Sequence, residues 1–301
     1  MIASWNVRPD IYLKLEGRVI FPDHTTKYYT LGSWSADSAQ HPRESLRGQN
    51  DDDGRVRTDT LVMARHGGKL QLRITLGGTN INNEPPLKYL GLSFCDSAVK
   101  PVPREPNHAA WGKTIEVPER RQADYPEEQG WCSPTSLSMV LAYWSTNLQR
   151  PELNHTVPEV AAAVFDSGMA GTGNWPFNTA YAGSFPGVRA YVTRLDDISE
   201  LEDWIAAGIA PIISVSSYLV NNRHSGPDNG HLIVFAGFTE TGDFVANDPG
   251  VSVKRNERAR RVYPRQRVIE AWKKSKFTVY LVYPENATIP KNVSGHWDSV
   301  N

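Results

Sequence analysis

The sequence predicts an α+β fold in which an N-terminal β-sandwich is followed by a second domain of helices and antiparallel strands. Roughly the first hundred residues hold short apolar runs separated by turn residues, whereas later residues show a helical period first and strand-like runs afterwards. A proline-rich stretch without period lies between the two patterns. We therefore divide the chain into a β-sandwich accessory domain at 1–105, a Pro-rich linker at 106–120 and a second domain at 121–301.

The first domain is predicted from segments that alternate or run apolar over a few residues. Turn signals such as Asp53-Gly54 and Gly67-Gly68 separate them. Many short strands joined by turns are typical of a β-sandwich. The predicted strands are Ile11–Leu15, Thr26–Leu31, Arg57–Met63, Lys69–Leu76 and Leu87–Phe94.

The second domain begins with a helical pattern. Leu137, Val140, Leu141 and Trp144 follow the spacing i, i+3, i+4 and i+7, which predicts one apolar stripe on a helix over 133–144. Helices are also predicted at Val157–Phe165 and Ile198–Ala207. The predicted strands are Val188–Thr193, Pro211–Ser216, His231–Phe238, Asp243–Ala246 and Phe277–Val282.

Composition excludes several classes of function. The 301 residues carry a net charge of -1 and contain no long basic block, which argues against a nucleic-acid partner. No apolar run approaches the length of about 20 residues that a membrane span needs. Two cysteines are too few for a disulfide scaffold or a four-thiolate zinc site, and we expect no metal or other cofactor. The N-terminal residues lack the pattern of a signal peptide, so these residues leave localisation open.

Cys132 lies in Gln129-Gly130-Trp131-Cys132-Ser133-Pro134, directly before the first predicted helix. The free N–H groups and the positive dipole end of a helix N-terminus favour a thiolate over a thiol. The alternative is a buried structural cysteine, which is a frequent role of free cysteine. Position alone does not decide between a nucleophile and a structural residue.

His231 and Asp248 lie on two strand-like runs joined by a short turn, which predicts a hairpin. If Glu240 and Thr241 form the centre of the turn, opposed residues sum to 481 and Asp248 faces Ile233. His231 and Asp248 then share one face as diagonal neighbours about 7–8 Å apart at the backbone. A loop of odd length would put them on opposite faces. The sequence therefore allows a His–Asp pair, and a surface histidine beside a polar turn is the alternative.

Taken together, a cysteine that opens a helix, a histidine on a later strand and an acid on the next strand supply a nucleophile, a base and an orienting group in the order that papain-like cysteine hydrolases use. The segments around Trp131-Cys132-Ser133-Pro134-Thr135 and Gly230-His231-Leu232, with Val245-Ala246-Asn247-Asp248-Pro249, resemble the C39-like peptidases of bacteria. The resemblance covers about residues 120 to 285 and implies a papain-like catalytic domain at 121–301.

The resemblance also implies roles for individual residues. Cys132 would be the nucleophile, His231 the base and then the acid, and Asp248 the residue that orients the imidazole, with Asn247 as the alternative orienting residue. An oxyanion-hole glutamine is expected upstream of the cysteine. Gln122 is favoured, because Gln129 has only two residues in which to turn back toward the sulfur. The usual Cys-Gly-Pro-Thr is Cys-Ser-Pro-Thr in this chain, which leaves the start of the helix intact.

These features predict a secreted cysteine peptidase that acts on a peptide or protein substrate. The N-terminal domain would bind the substrate or a cell-surface polymer. Other amide chemistry by the same three residues, as in transglutaminases or cell-wall amidases, and a non-catalytic binding protein are the alternatives. An extracellular location is implied by the family resemblance alone.

Overall fold

In a computed structural model of the chain, the structure describes residues 1–78, 85–96, 98–99, 104–125, 130–223 and 229–297. Seven strands and then six helices mixed with six further strands follow in chain order within these ranges. All strand pairs are antiparallel. The chain is therefore a mixed helix and strand protein in which half of these strand pairs join strands that are consecutive in the chain.

The N-terminal strands form two sheets, one in the order β4-β5-β1-β7 and the other in the order β3-β2-β6. Apolar side chains of both sheets, among them Trp5, Leu13 and Trp34, are fully buried in one cluster. We call β1 to β7 the N-terminal sheets. Their bounds are β1 Ile2–Val7, β2 Ile11–Ile20, β3 Tyr29–Trp34, β4 Gly54–Arg57, β5 Thr60–Met63, β6 Lys69–Gly78 and β7 Leu87–Ser93.

Two predictions for this region were wrong in detail. The segment Arg57–Met63 is not one strand, because Thr58 adopts a left-handed conformation at φ 55° and turns the chain between β4 and β5. The strand β1 was not predicted at all. Every residue of β1 is buried, so the sequence shows no alternation of apolar and polar positions there.

The remaining strands form a six-stranded sheet in the order β12-β11-β10-β9-β13-β8. The helix α1 packs against β10 and β13 of this sheet, and its residues from Ser133 to Ala142 are all buried. The helices are α1 Cys132–Leu148, α2 Val157–Val164, α3 Trp175–Ser184, α4 Ile198–Ala206, α5 Ser217–Val220 and α6 Arg265–Lys273. The strands are β8 Val188–Arg194, β9 Ile212–Ser216, β10 Gly230–Phe238, β11 Phe244–Asn247, β12 Arg260–Tyr263 and β13 Thr278–Pro284.

The helices and strands predicted after residue 130 are present with ends that differ by a few residues. The sequence did not predict α3, α5, α6 or β12. Eight of the ten residues of α3 are buried, so this helix has no polar face and shows little amphipathic pattern.

The N-terminal sheets and the six-stranded sheet share buried contacts. Phe177 and Ala180 of α3 belong to the same buried cluster as the apolar side chains of β1, β2 and β3. The buried side chain of Asn6 donates to Ala190 O at 2.6 Å and accepts from Ala190 N at 3.1 Å. Ser4 Oγ accepts from Val192 N at 2.9 Å. The polar residues of β1 thus satisfy backbone groups along β8, the edge strand of the six-stranded sheet.

The linker region at 106–120 lies along the C-terminal end of β10, away from His231. Ile115 N donates to Ala236 O at 2.7 Å and Phe238 N donates to Lys113 O at 2.9 Å.

Across the described residues, none of the helices has both the length and the apolar character needed to cross a bilayer.

Candidate active site

Cys132 is the first residue of α1, as its position before the predicted helix indicated. Pro134 lies in the first turn, where the lack of an N–H removes no intrahelical hydrogen bond. The thiol is free and partly buried. The helix therefore presents its positive end to the sulfur.

The hairpin of β10 and β11 sets the face on which His231 lies. Val234 pairs with Asn247 and Phe235 with Ala246, which confirms the predicted sum of 481 at the open end of the hairpin. The assumption about the turn was wrong, since Phe238 pairs with Phe244 and the sum at the closed end is 482. A bulge between Phe235 and Gly237 absorbs the extra residue.

Gly237 makes this bulge possible. Its φ is 155°, and a Cβ at this position would lie 2.1 Å from Lys113 O, so a larger residue would collide with the linker backbone. The loop between β10 and β11 has an odd number of residues, and the bulge shifts the strand pairing by one residue to compensate. His231 and Asp248 therefore lie on the same face of the hairpin.

His231 Nε2 lies 2.7 Å from Asp248 Oδ1, and both residues are buried. The ring of His231 also lies close enough to the Cys132 side chain for each to shift the pKa of the other. Since Nε2 is held by Asp248, Nδ1 is the nitrogen left for the sulfur. The structure thus brings Cys132, His231 and Asp248 into one series, with the imidazole between the sulfur and the carboxylate.

Both oxygens of Asp248 have further donors. Gly250 N donates to Oδ1 at 2.7 Å, and the Tyr263 hydroxyl donates to Oδ2 at 2.5 Å. A Cβ on Gly250 would lie 3.0 Å from His231 Cε1 and 3.2 Å from Asp248 Oδ1, so the glycine leaves space for the pair. Neither Gly250 nor Tyr263 was predicted as a site residue. Tyr263 lies on the unpredicted strand β12, whereas the Asp-Pro-Gly turn at Gly250 was visible as a turn signal.

Burial and the three charges oppose each other in this site. Burial raises the pKa of the Cys132 thiol, but the hydrogen bond and positive charge of His231, with a backbone contact to Leu232, outweigh it and leave the pKa below its usual value. Burial lowers the pKa of His231, yet Asp248 and the sulfur raise it to about 10. Burial likewise raises the pKa of Asp248, while His231, Tyr263 and Gly250 bring it down to about 2. Both shifts favour the charged pair of thiolate and imidazolium over the neutral pair.

Gln122 lies next to this series. Its backbone N–H donates to Pro249 O at 2.9 Å, which fixes it beside the residue that follows Asp248. Among the described residues, its side-chain Oε1 is buried without a hydrogen-bond partner. The rival Gln129 lies outside the described residues. The structure therefore places Gln122 near Asp248, with its carboxamide oxygen unbound to any residue that the structure describes.

The side chain of Asn247, the alternative orienting residue, is directed away from His231. Its Nδ2 donates to Val117 O at 2.9 Å and its Oδ1 accepts from Arg260 Nε at 3.1 Å. Adjacent residues of a strand point to opposite faces, which puts Asn247 on the linker side and Asp248 on the histidine side.

Cys95, the second cysteine, is free and exposed at the end of β7. Among the residues that the structure describes, no group of three or more His, Cys, Asp or Glu side chains is arranged to hold a metal ion. Asp51, part of the acidic run before Gly54, instead accepts hydrogen bonds from Asp53 N and Gly54 N in a turn.

Comparison with known proteins gives two family matches. Residues 114–280 match the model of the Peptidase C39-like family, and residues 1–94 match the model described as Peptidase C39 N-terminal domain. A solved structure of a Bacillus anthracis protein assigned to the C39-like peptidases aligns with 18% identity and a TM-score of 0.42, covering 56% of this chain and 96% of that chain. A search of curated proteins gave no match.

Proposed function

This chain belongs to the Peptidase C39-like family, and we propose that it hydrolyses peptide bonds through Cys132, His231 and Asp248, with Gln122 as an oxyanion donor. The observation that supports this most directly is the hydrogen bond between His231 and Asp248 beside Cys132, which lies at the N-terminus of α1. A nucleophile, a base and an orienting group in mutual contact are the elements that thiol acyl transfer requires.

The proposed reaction begins with attack of the Cys132 thiolate on the substrate carbonyl carbon. The oxyanion that forms accepts hydrogen bonds from the Cys132 backbone N–H and the Gln122 carboxamide. The His231 imidazolium then gives its proton to the leaving amine as the C–N bond breaks. In the second half, His231 takes a proton from water, the hydroxide attacks the thioester, and the acid product leaves as the thiolate returns.

The contacts of Asp248 explain why it suits the orienting role. Three donors hold its two oxygens, so the carboxylate has one position and its charge faces Nε2 of His231. An imidazolium formed during the reaction is stabilised by this charge. The side chain of Asn247, bound to the linker and to Arg260, has no free group for that task.

The finer architecture belongs to the same proposal. We assign the domain at 121–301 to the papain-like fold, and we interpret the two N-terminal sheets around one buried cluster as a β-sandwich. Action outside the cell is proposed from the family resemblance, and detection of the protein in the medium of the producing cells would test it.

Hydrolysis is tested with two cysteine variants. Cys132→Ala should abolish cleavage of a quenched-fluorescence peptide library, because no thiolate remains, whereas the melting temperature should change little. Cys95→Ala, the matched control, should retain activity, since Cys95 contacts none of the three proposed catalytic residues. Cleavage by the Cys132→Ala protein, or release of ammonia from glutamine side chains without peptide cleavage, would contradict the proposal.

A further inference from the structure

A second cleft, distinct from the Cys132 site, lies where the N-terminal sheets meet the six-stranded sheet. Its volume is about 780 Å³, within the range of clefts that hold small ligands or peptide segments. The end of β7, the end of β8 and the turn from α6 into β13 line it. We call it the junction cleft.

Arg194 lines the junction cleft, and its surroundings are unusual for a charged residue. Its exposed fraction is 9%, and its side chain forms no hydrogen bond or salt bridge with any residue that the structure describes, the buried carboxylate of Asp59 acting on it only at longer range. Its Nε is buried without a hydrogen-bond partner among the same residues. Buried guanidinium groups are normally paired with an anion, because leaving water is costly for a charge. An anion that binds in the cleft would supply the missing partner.

The other charges of the cleft leave it positive. Lys276 is exposed and, within the described ranges, forms no salt bridge, while Lys273 pairs with Glu270. The acidic side chains on the wall, Asp96 and Asp196, each face a histidine. Arg104 pairs with Asp203 through Nη2, and its Nη1 is buried without a hydrogen-bond partner among the described residues. The charges of Arg194 and Lys276 are therefore the ones that no salt bridge to a described residue offsets, and an incoming anion could pair with them.

The rim of the junction cleft is apolar. Phe94, Val99 and Val293 have exposed fractions of 63%, 67% and 63%, which are high for such side chains. A ligand that places a carboxylate on Arg194 and an apolar group on the rim would use both features. An acidic residue next to an apolar one in an extended peptide has this chemistry.

The junction cleft opens at the same end of the six-stranded sheet as the Cys132 site. Thr278 pairs with Arg194, and through β13 and β9 the register leads to β10 near His231. Three strand spacings separate the two strands, or about 14 Å at 4.7–4.9 Å each. An extended chain covers that distance in about four residues. Arg194 shares its row with Leu232, so its side chain points to the face of the sheet opposite that of His231, and a peptide that reaches both places must be longer than four residues.

We propose that the junction cleft binds an acidic segment of the peptide substrate, with the carboxylate on Arg194 and Lys276 and a neighbouring apolar side chain against Phe94 and Val293. The inference rests on the proposed peptidase function for the identity of the ligand. Binding of an acidic peptide is measured separately from cleavage.

The test uses the full chain with Cys132→Ala, in which Cys95 is the one remaining cysteine and lines the junction cleft. Two blocked peptides are compared, one with phenylalanine followed by two glutamates and one with glutamines in their place. The glutamate peptide should slow alkylation of Cys95 by iodoacetamide and bind at least about tenfold more tightly by fluorescence anisotropy, since a carboxylate pairs with the guanidinium. The advantage should shrink as salt is raised.

Adding Arg194→Met or Lys276→Gln to that protein should remove or reduce the preference for glutamate. Arg194→Met breaks no hydrogen bond or salt bridge with a described residue, so the melting temperature of this variant should not fall. If it does fall, the Lys276→Gln variant replaces it in the test, because Lys276 is exposed. Lys113→Gln, an exposed charge at the opposite end of β10, should bind as the parent protein does. Equal binding of the two peptides, or an unchanged preference in Arg194→Met, would overturn the inference and leave the peptidase proposal untouched. If the native protein cleaved no peptide while the Cys132→Ala protein still preferred the glutamate peptide, the result would count against the peptidase proposal alone.

Discussion

The charge of Asp248 is expected to control the protonation state of Cys132, and Asp248→Asn isolates that charge. Oδ1 accepts hydrogen bonds from His231 and Gly250, so the amide oxygen of asparagine can take its place. The amide nitrogen would then face the Tyr263 hydroxyl, which can accept a hydrogen bond as well as donate one. The substitution therefore keeps the shape and the contacts of the site and removes one negative charge.

The size of the effect follows from the distance between the charges. For unit charges about 4 Å apart, Coulomb's law at an effective dielectric constant of about 20 gives roughly 4 kcal/mol. That free energy corresponds to about three units in the pKa of His231. Asp248 also raises the pKa of Cys132 slightly, so its removal favours the thiolate and offsets part of this loss. The pKa of His231 would fall from about 10 to about 7, so at pH 8 we expect the imidazolium, and the thiolate that it stabilises, to become less populated by a factor on the order of 10.

The assay is the rate of iodoacetamide alkylation as a function of pH, in a Cys95→Ala background so that only Cys132 reacts. Since the pKa of Cys132 is lowered in the native protein, more of its thiol is ionised at pH 8 than in an ordinary cysteine, and the native protein should react faster there. In Asp248→Asn the imidazolium is lost near pH 7 and the rate should rise only toward the ordinary thiol pKa, so the difference between the two rates should be largest near pH 8 and small above pH 10.

The control for net charge is Asp52→Asn, an exposed carboxylate before β4, which should react like the native protein. If Asp248→Asn were alkylated at pH 8 within about twofold of the native rate, the charge of Asp248 would not be what maintains the thiolate.

Three further changes test the remaining parts of the structure. Gln122→Ala should lower kcat by about 10²–10³ and leave the alkylation rate of Cys132 unchanged, because an oxyanion donor acts after the thiolate has formed; equal losses in both would argue for a structural role. Gly250→Ala should lower both kcat and the alkylation rate, since its Cβ would lie 3.0 Å from the His231 ring, and native values in both assays would show that the ring tolerates it. A protein that starts at residue 118 should be insoluble, because Phe177 and Ala180 lose their cover, and a soluble protein with a cooperative thermal transition would refute this.

The parts of the fold that the sequence predicted are those whose burial is one-sided or whose ends carry local signals. The helix α1 has its apolar stripe, and β10 and β11 are bounded by turn residues. The segments that were missed, β1 and α3, are buried on nearly every side. Their polar residues are not turned toward water: Asn6 binds the backbone of β8, and Asn178 binds backbone oxygens near the start of α3. Such residues give the sequence of a buried helix or strand the polar pattern that is typical of a loop.

The features of the candidate site also fall into two groups, those with a local signal in the sequence and those without one. Cys132 before a helix and the pair His231 and Asp248 across a hairpin depend on spacing within short segments, which a sequence displays. The bulge before Gly237 depends on the approach of the linker, and the contact of Tyr263 with Asp248 depends on the pairing of β12 with β11. Neither is encoded near the residues that it affects, so spacing alone could not reveal them.

The N-terminal sheets are also connected to the loop that carries the nucleophile. Ser45 donates to the buried carboxylate of Asp166 from both its N–H and its hydroxyl, at 2.9 and 2.6 Å, and Asn174 donates to the same carboxylate at 2.8 Å. Between these residues, the Thr172 hydroxyl donates to Gly130 O at 3.3 Å, two residues before Cys132. A buried carboxylate that loses its donors is costly, so this connection resists rearrangement. The first domain is therefore part of the framework that positions Cys132, and any substrate that binds to it is held in a fixed relation to the thiolate.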